Sequence, residues 1–233
     1  MNRNYILVDF DGPLLAGKSL YTPRNRLEFR EEDGLNTKFD EFSVWAHNMW
    51  AKYGDATIIF STNWVFHKSV DELKTICKNN GLDFEGRYAD DEFITTPKKM
   101  SSYRGNEVWW AISDIAKEGD RFLIVDDDNS CKHIEKYIER VMTPPKDDYG
   151  GVADWSKMDN PPQVKWIEVA TTEGLSLKNF RDGGEFFGFS EYGSELYTPW
   201  DHMNNDEFDT KLKTKEEKEE HKKTMDMLAS CMI

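Results

Sequence analysis

Asp9 and Asp11, separated by one residue, stand at the end of the apolar run Tyr5-Ile6-Leu7-Val8, and Gly12 follows them. Side chains of a strand alternate between its faces, so the two aspartates share one face. Carboxylates placed together in this way offer hard oxygen ligands for a divalent cation and, at the same spot, an oxygen nucleophile. A second acidic cluster, Asp126-Asp127-Asp128, closes the apolar run Phe122-Leu123-Ile124-Val125. Two acidic strand ends suit phosphoryl transfer, because an anionic phosphate admits a carboxylate only when positive charge lies between them.

These residues must be carried by elements that bring the two strand ends together. Residues 5–9, 56–60, 121–125 and 165–169 read as buried strands, and a short strand is expected around 84–88. Phe39, Phe42, Trp45, Ala46 and Met49 recur at helical spacing over 38–53. Val70, Leu73, Ile76 and Cys77 share one face of a helix over 69–80, with Gly81 as its C-terminal cap. Further helices are expected over 105–118 and 130–141. Alternating strands and helices predict an α/β fold with a doubly wound parallel sheet. Such sheets bind ligands at the carboxyl ends of their strands, where both clusters fall. Residues 12–37 show no clear period.

The core domain is expected to span 1–180. A C-terminal extension over 181–233 begins with an irregular stretch over 181–206 and continues as a charged helix over 207–229. That helix reads as solvated, with a protein partner as the alternative. The net charge of −14 opposes broad attraction to nucleic acid backbones but leaves room for a local basic site. Three scattered cysteines, Cys77, Cys131 and Cys231, read as reduced thiols. Neither a signal peptide nor a membrane span is expected, so the chain is read as cytoplasmic.

The ordered motifs resemble the haloacid dehalogenase superfamily of aspartate-based phosphotransferases. The first motif is Asp9-Phe10-Asp11-Gly12 and the second is the strand end Phe60-Ser61-Thr62-Asn63. The third is a basic residue before the last motif, and the fourth is Asp126-Asp127. The resemblance covers about 1–180. It implies that Asp9 is the nucleophile of an aspartyl-phosphate mechanism and that Asp11 is the general acid and base. It implies Mg²⁺ held by Asp9, the Asp11 backbone carbonyl, and Asp126 or Asp127. Either Ser61 or Thr62 would hold the phosphoryl oxygens. Arg104, followed by Gly105 at the head of a helix, is the preferred basic residue, with Lys99 as the alternate. Lys98 and Lys99 also read as a solvated loop.

Finer features narrow the branch. Thr62-Asn63-Trp64, Arg104-Gly105 and the segment Val169–Ser176 resemble small domains that accompany nucleic acid repair proteins or are encoded by phages. The paired acids are also similar to those of 5′-nucleotidases. Pro13 departs from the usual residue after Gly12 and removes one backbone N–H. The short insertion between the first two motifs leaves a small or absent cap, hence an open site.

The expected activity is therefore a Mg²⁺-dependent phosphomonoesterase acting on a nucleotide, a nucleic acid end or another small phosphorylated substrate. Asn63 and Trp64 are candidate substrate contacts. Arg24 and Arg26, with Arg30, Tyr21 and Phe29, could form a basic aromatic lip for a base or phosphate. They also read as surface charge balanced by Glu28, Glu31, Glu32 and Asp33. His67 reads as facing the site or as a polar loop residue. The competing functions are a phosphoprotein phosphatase and a non-catalytic binding module on the same scaffold.

Overall fold

Four strands form one all-parallel sheet: β1 (Asn4–Val8), β2 (Ala56–Phe60), β3 (Arg121–Asp126) and β4 (Gln163–Glu168), in the order β2-β1-β3-β4. The computed structural model describes residues 3–26, 34–96, 104–134 and 158–189. Helices that accompany the strands among the described residues include α1 (Gly17–Leu20), α2 (Glu41–Tyr53), α3 (Val70–Asn79), α4 (Arg104–Ile115) and α5 (Leu177–Phe187). The expected doubly wound sheet is thus observed.

The strand order fixes where a ligand would sit. The chain moves from β1 to β2 in one direction along the sheet, then returns past β1 to reach β3. Right-handed crossovers running in opposite directions put their helices on opposite faces. The carboxyl end of β1 is therefore a topological switch point, with a crevice between the two diverging connections.

Packing follows that geometry. Tyr5 and Leu7 of β1, Ile59 of β2 and Phe122 and Ile124 of β3 join Val108, Trp109 and Ile112 of α4 in one buried cluster. Elsewhere α2 packs on α5: the Trp50 indole donates to the Phe180 carbonyl at 3.0 Å. A Cβ at Gly183 would lie 2.6 Å from the Trp50 ring, so glycine permits this close approach. At the end of α3, Gly81 has φ +80°. The Gly81 and Leu82 amides donate to the carbonyls of Lys78 and Cys77, both at 3.0 Å, closing a Schellman cap. Ser69 and Glu72 form a capping box at its start.

Three expectations are corrected. Residues 84–88 form no strand; Tyr88 makes one isolated bridge to Ile58, and Thr95 another to Phe60. Together the two bridges cover the outer edge of β2, leaving too few consecutive bonds for a strand. Residues 181–187 are helical and belong to α5, so the helix crosses residue 180. A Ser176–Asn179 capping box starts α5 and Gly188, at φ +81°, ends it. The adjacent glycines 183 and 184, which read as loop, serve close packing instead. Asn129–His133 is a 3₁₀ turn, whereas most of the expected 130–141 helix lies outside the described residues.

The chain divides into Met1–Phe189 and Ser190–Ile233. The second unit, with the expected charged helix over 207–229, lies outside the described residues. Among the described residues, no helix is long and apolar enough to cross a membrane.

Candidate active site

Strand register brings the sequence motifs level with one another. Val8 pairs with Phe60 on one side and Val125 on the other. One residue further, the Asp9 amide donates to the Val125 carbonyl at 3.2 Å, and the Ser61 amide to the Val8 carbonyl at 2.9 Å. Asp9, Ser61 and Asp126 therefore end three neighbouring strands side by side. All three are buried.

Asp9, Asp126 and Asp127 each offer a carboxylate oxygen within 4.8 Å of the others. Burial raises the Asp9 pKa well above the ordinary carboxylate value, and the Asp126 charge raises it further. Burial likewise pushes Asp126 up to about 7, although the Asp128 amide opposes this by donating to Asp126 Oδ1 at 2.8 Å. The raised values mark a cluster short of positive charge. Asp126 Oδ2 is buried and accepts no hydrogen bond among the described residues. A hard divalent cation fits this donor set, since it supplies the missing charge and takes carboxylate oxygens as ligands.

Glycine sets the approach of Asp127. Gly12 has φ +88°, a conformation that L side chains rarely adopt, and a Cβ there would lie 2.7 Å from Asp127 Cγ. The first and fourth motifs thus touch through a residue that must lack a side chain. Pro13 leaves this turn intact. The Gly12 amide donates to the Leu15 carbonyl, and the Leu14 and Leu15 amides both donate to the Phe10 carbonyl. Asp40 adds two anchors, accepting from the Ala16 amide at 2.9 Å and the Ser19 hydroxyl at 2.5 Å. The segment after β4 braces the same loop: the Gly17 amide donates to the Thr171 carbonyl at 2.8 Å.

Arg104 is buried at the first position of α4. Its Nε lies 3.7 Å from Asp126 Oδ2, and its Nη1 donates to Glu107 Oε2 at 3.1 Å. A cation at a helix N-terminus opposes the helix dipole, and Glu107 in the same turn offsets that. Gly105 explains how the arginine reaches the acids. A Cβ there would lie 2.4 Å from the Ser130 carbonyl oxygen, so only glycine lets α4 dock against the turn after β3. The Gly105 amide donates to Ser130 Oγ at 2.9 Å. Lys98 and Lys99 lie outside the described residues.

The second motif divides its attention between the two aspartates. The Thr62 side chain acts on Asp9, lowering its pKa against the effect of burial. The Trp64 indole N–H donates to Asp11 Oδ2 at 3.0 Å. Ser61 Oγ is buried without a hydrogen-bond partner among the described residues. Asp11 itself is exposed, yet the packing around it raises its pKa, against which the Trp64 bond acts.

The substrate contacts expected from sequence fall in different places. Asn63 is exposed in the 3₁₀ turn Asn63–Phe66, and His67, which ends that turn, is exposed too. Trp64 differs from expectation: it is buried, with its ring 5.4 Å from that of Phe10, and offers no open face for stacking. Arg26 lies over the Tyr21 ring at 5.3 Å, and Arg24 lines a cavity with Lys38, Phe39, Trp45 and Asn80. The structure groups neither arginine with the carboxylates. Arg30 and Phe29 lie outside the described residues. No role at the site was expected for Glu107, which the sequence offers only as part of the motif Arg104-Gly105-x-Glu107-Val108, or for Ser130 and Asp40. The Arg104–Glu107 spacing of three on a helix was the available signal for the first; Ser130 and Asp40 act through long-range contacts that left none.

A four-stranded parallel sheet flanked by helices, with an Asp-x-Asp loop at its switch point and paired acids on the adjacent strand, defines a haloacid dehalogenase (HAD) fold. The chain belongs to the family described as the HAD domain in Swiss Army Knife RNA repair proteins, whose family model matches residues 5–180. No curated protein and no solved structure gave a match.

Proposed function

We propose that this protein is a phosphomonoesterase that removes a terminal phosphate from nucleic acid ends through an aspartyl-phosphate. One observation carries the reading. Three carboxylates converge within 4.8 Å at the switch point, Asp9 and Asp126 buried and Asp127 half-buried, short of positive charge, with the Asp11 carboxyl two residues from the central one. A structural ion-pair cluster would balance its charges; a phosphoryl-transfer site awaits a cation and an anion. RNA repair, named in the family description, supplies the substrate class.

In this reading an Asp9 carboxylate oxygen attacks phosphorus, and the ester P–O bond breaks. Asp11 gives its proton to the departing sugar oxygen. The carboxyl of Asp11, exposed and raised in pKa, suits a group that must hold a proton before delivering it. Water then attacks phosphorus, Asp11 takes its proton, and the bond to Asp9 breaks. The Phe10 amide, donating to Asp9 Oδ1 at 2.8 Å, holds the Asp9 carboxylate in place, while the unpaired Ser61 hydroxyl is free to donate to a phosphoryl oxygen. Arg104 supplies fixed positive charge beside Asp126. Mg²⁺, held by Asp9, Asp126 and Asp127 with the Asp11 carbonyl, would neutralise phosphoryl charge.

The test is phosphate release with Mg²⁺ from RNA and DNA oligonucleotides carrying 3′- or 5′-phosphates, alongside nucleoside monophosphates and an aryl phosphate. Faster release from oligonucleotide ends supports the reading. Preference for monophosphates would make the protein a nucleotidase. Silence on every ester, in enzyme shown to bind Mg²⁺, would sink the phosphatase and favour a binding module.

A further inference from the structure

The tryptophan of the second motif is the feature that the mechanism above leaves unused. Its segment crosses the tip of the sheet beside the Asp-x-Asp loop. Thr62 lowers the pKa of Asp9, while Trp64, two residues on, bonds Asp11. Strand β2 and the following 3₁₀ turn therefore address both carboxylates of the first motif.

An indole N–H has one proton and no acceptor atom, so it can serve only as a donor. Buried indoles almost always find a partner. Here the partner is the one carboxyl that must move a proton, at 3.0 Å. The ring is fixed on its other side. It is buried, and Phe10 meets it at 5.4 Å with an interplanar angle of 67°. Phe10 sits between the two aspartates in sequence, packed on Phe39 at 5.1 Å and Phe60 at 5.8 Å. The ring that orients Asp11 thus rests on the residue whose backbone joins Asp9 to Asp11. Asp11 is exposed and would otherwise be free to swing toward solvent.

We infer that Trp64 is a positioning residue: its indole N–H occupies Asp11 Oδ2 and turns Oδ1 toward the leaving-group oxygen. The inference rests on the phosphatase reading above. It assigns Trp64 to the acid and base step and removes it from base stacking. A carboxyl with one oxygen bound by a fixed donor has one oxygen left for the proton, and its direction is set.

The experiment uses the full chain and the variants Trp64→Phe, Asp11→Ala and the double variant. Trp64→Phe keeps a ring against Phe10 and removes only the donor. kcat/KM is measured on a 3′-phosphorylated oligonucleotide, whose poor leaving group needs a proton, and on an aryl phosphate, whose good leaving group needs little help. This ratio reports steps up to departure of the leaving group. Trp64→Phe should lower kcat/KM on the oligonucleotide by about tenfold more than on the aryl ester, the scale of a charge-assisted hydrogen bond. In the Asp11→Ala background it should add little. Equal losses on both esters, or an undiminished loss without Asp11, would mean that the ring merely supports the fold, and the inference fails. A second measurement is independent of turnover. The chain has eight tryptophans, so Trp64→Phe assigns one indole signal in a ¹⁵N spectrum. That signal should shift in Asp11→Ala, and an unmoved signal would show that the bond is absent. Silence of the unaltered enzyme on every ester named above, 5′-phosphorylated ends and monophosphates included, would instead sink the phosphatase reading, and with it the role given to Trp64.

Discussion

The two ends of β1 and β3 handle buried carboxylates in opposite ways. At the amino end, Asp120 is buried and fully answered. It accepts from the Arg3 amide at 3.0 Å, Arg3 Nη2 at 2.6 Å and the Lys117 amide at 2.9 Å. At the carboxyl end, Asp9, Asp126 and Asp127 crowd within 4.8 Å around one guanidinium that also serves Glu107. The strands are the same and so is the residue type. Charge satisfied from within the chain marks a latch, whereas charge left short marks a place built to receive something.

The hardest blow to this comparison would come from Asp9. Asp9→Asn should lower phosphate release by at least about 10⁴-fold, since an amide oxygen is a poor nucleophile. It should also melt no lower than the unaltered chain in EDTA, because it removes a buried charge beside Asp126. Retained release, or a clear loss of stability, would erase the distinction between the two ends.

Acid is a second probe, once His47 is accounted for. This residue is buried in α2 and donates from Nδ1 to the Ser43 carbonyl at 2.7 Å. Burial lowers its pKa from 6.5 to about 4. The folded state therefore binds the proton less well than the unfolded chain. Its stability contribution is complete above about pH 6.5 and is lost as pH falls toward 4, about 3 kcal/mol in all. Urea unfolding at pH 7 and pH 5 should show a smaller acid loss in His47→Gln than in the unaltered chain. An identical loss would place the acid sensitivity elsewhere.

At the latch, Asp120→Ala should cost about 2 kcal/mol in urea unfolding, since it takes the acceptor from two part-buried backbone N–H groups and from the Arg3 guanidinium. Phosphate release per folded molecule should not change. A selective loss of release would show that the two ends are coupled through the strands.

How much of this was legible follows from the range of each signal. Four buried strands announce themselves by local apolar runs, and their alternation with helices makes them parallel; their order around β1 depends on long-range pairing and left no local signal. Asp9, Asp11, Asp126 and Asp127 could be singled out because each follows such a run directly. Trp64 could be found but its task could not, since the bond to Asp11 spans 53 residues. Likewise Gly183 and Gly184 read as chain breakers; Trp50 and Phe189, which need those bare surfaces, lie on other segments or beyond the helix. The 84–88 stretch has strand composition, but whether it pairs depends on how β2 is bordered.

Gly105 offers the finest test, because it separates the reach of Arg104 from the stability of its helix. Gly105→Ala improves helix propensity by about 1 kcal/mol. It also drives a methyl to within 2.4 Å of the Ser130 carbonyl, which neither backbone can easily yield. Such overpacking costs about 1–3 kcal/mol. The net change in stability should be small, about 1 kcal/mol, while α4 shifts away from β3 and draws Arg104 back from Asp126. Phosphate release should therefore fall by more than the stability change accounts for, about tenfold, with the protein still folded. Gly81→Ala is the control. Its position, unlike that of Gly105, is left-handed, with φ +80°, but a Cβ there meets nothing within 4 Å. It should show a comparable loss of stability and no selective loss of release. Equal behaviour of the two variants would mean that the docking of α4 on the turn after β3 does not set the charge at the carboxyl end of the sheet.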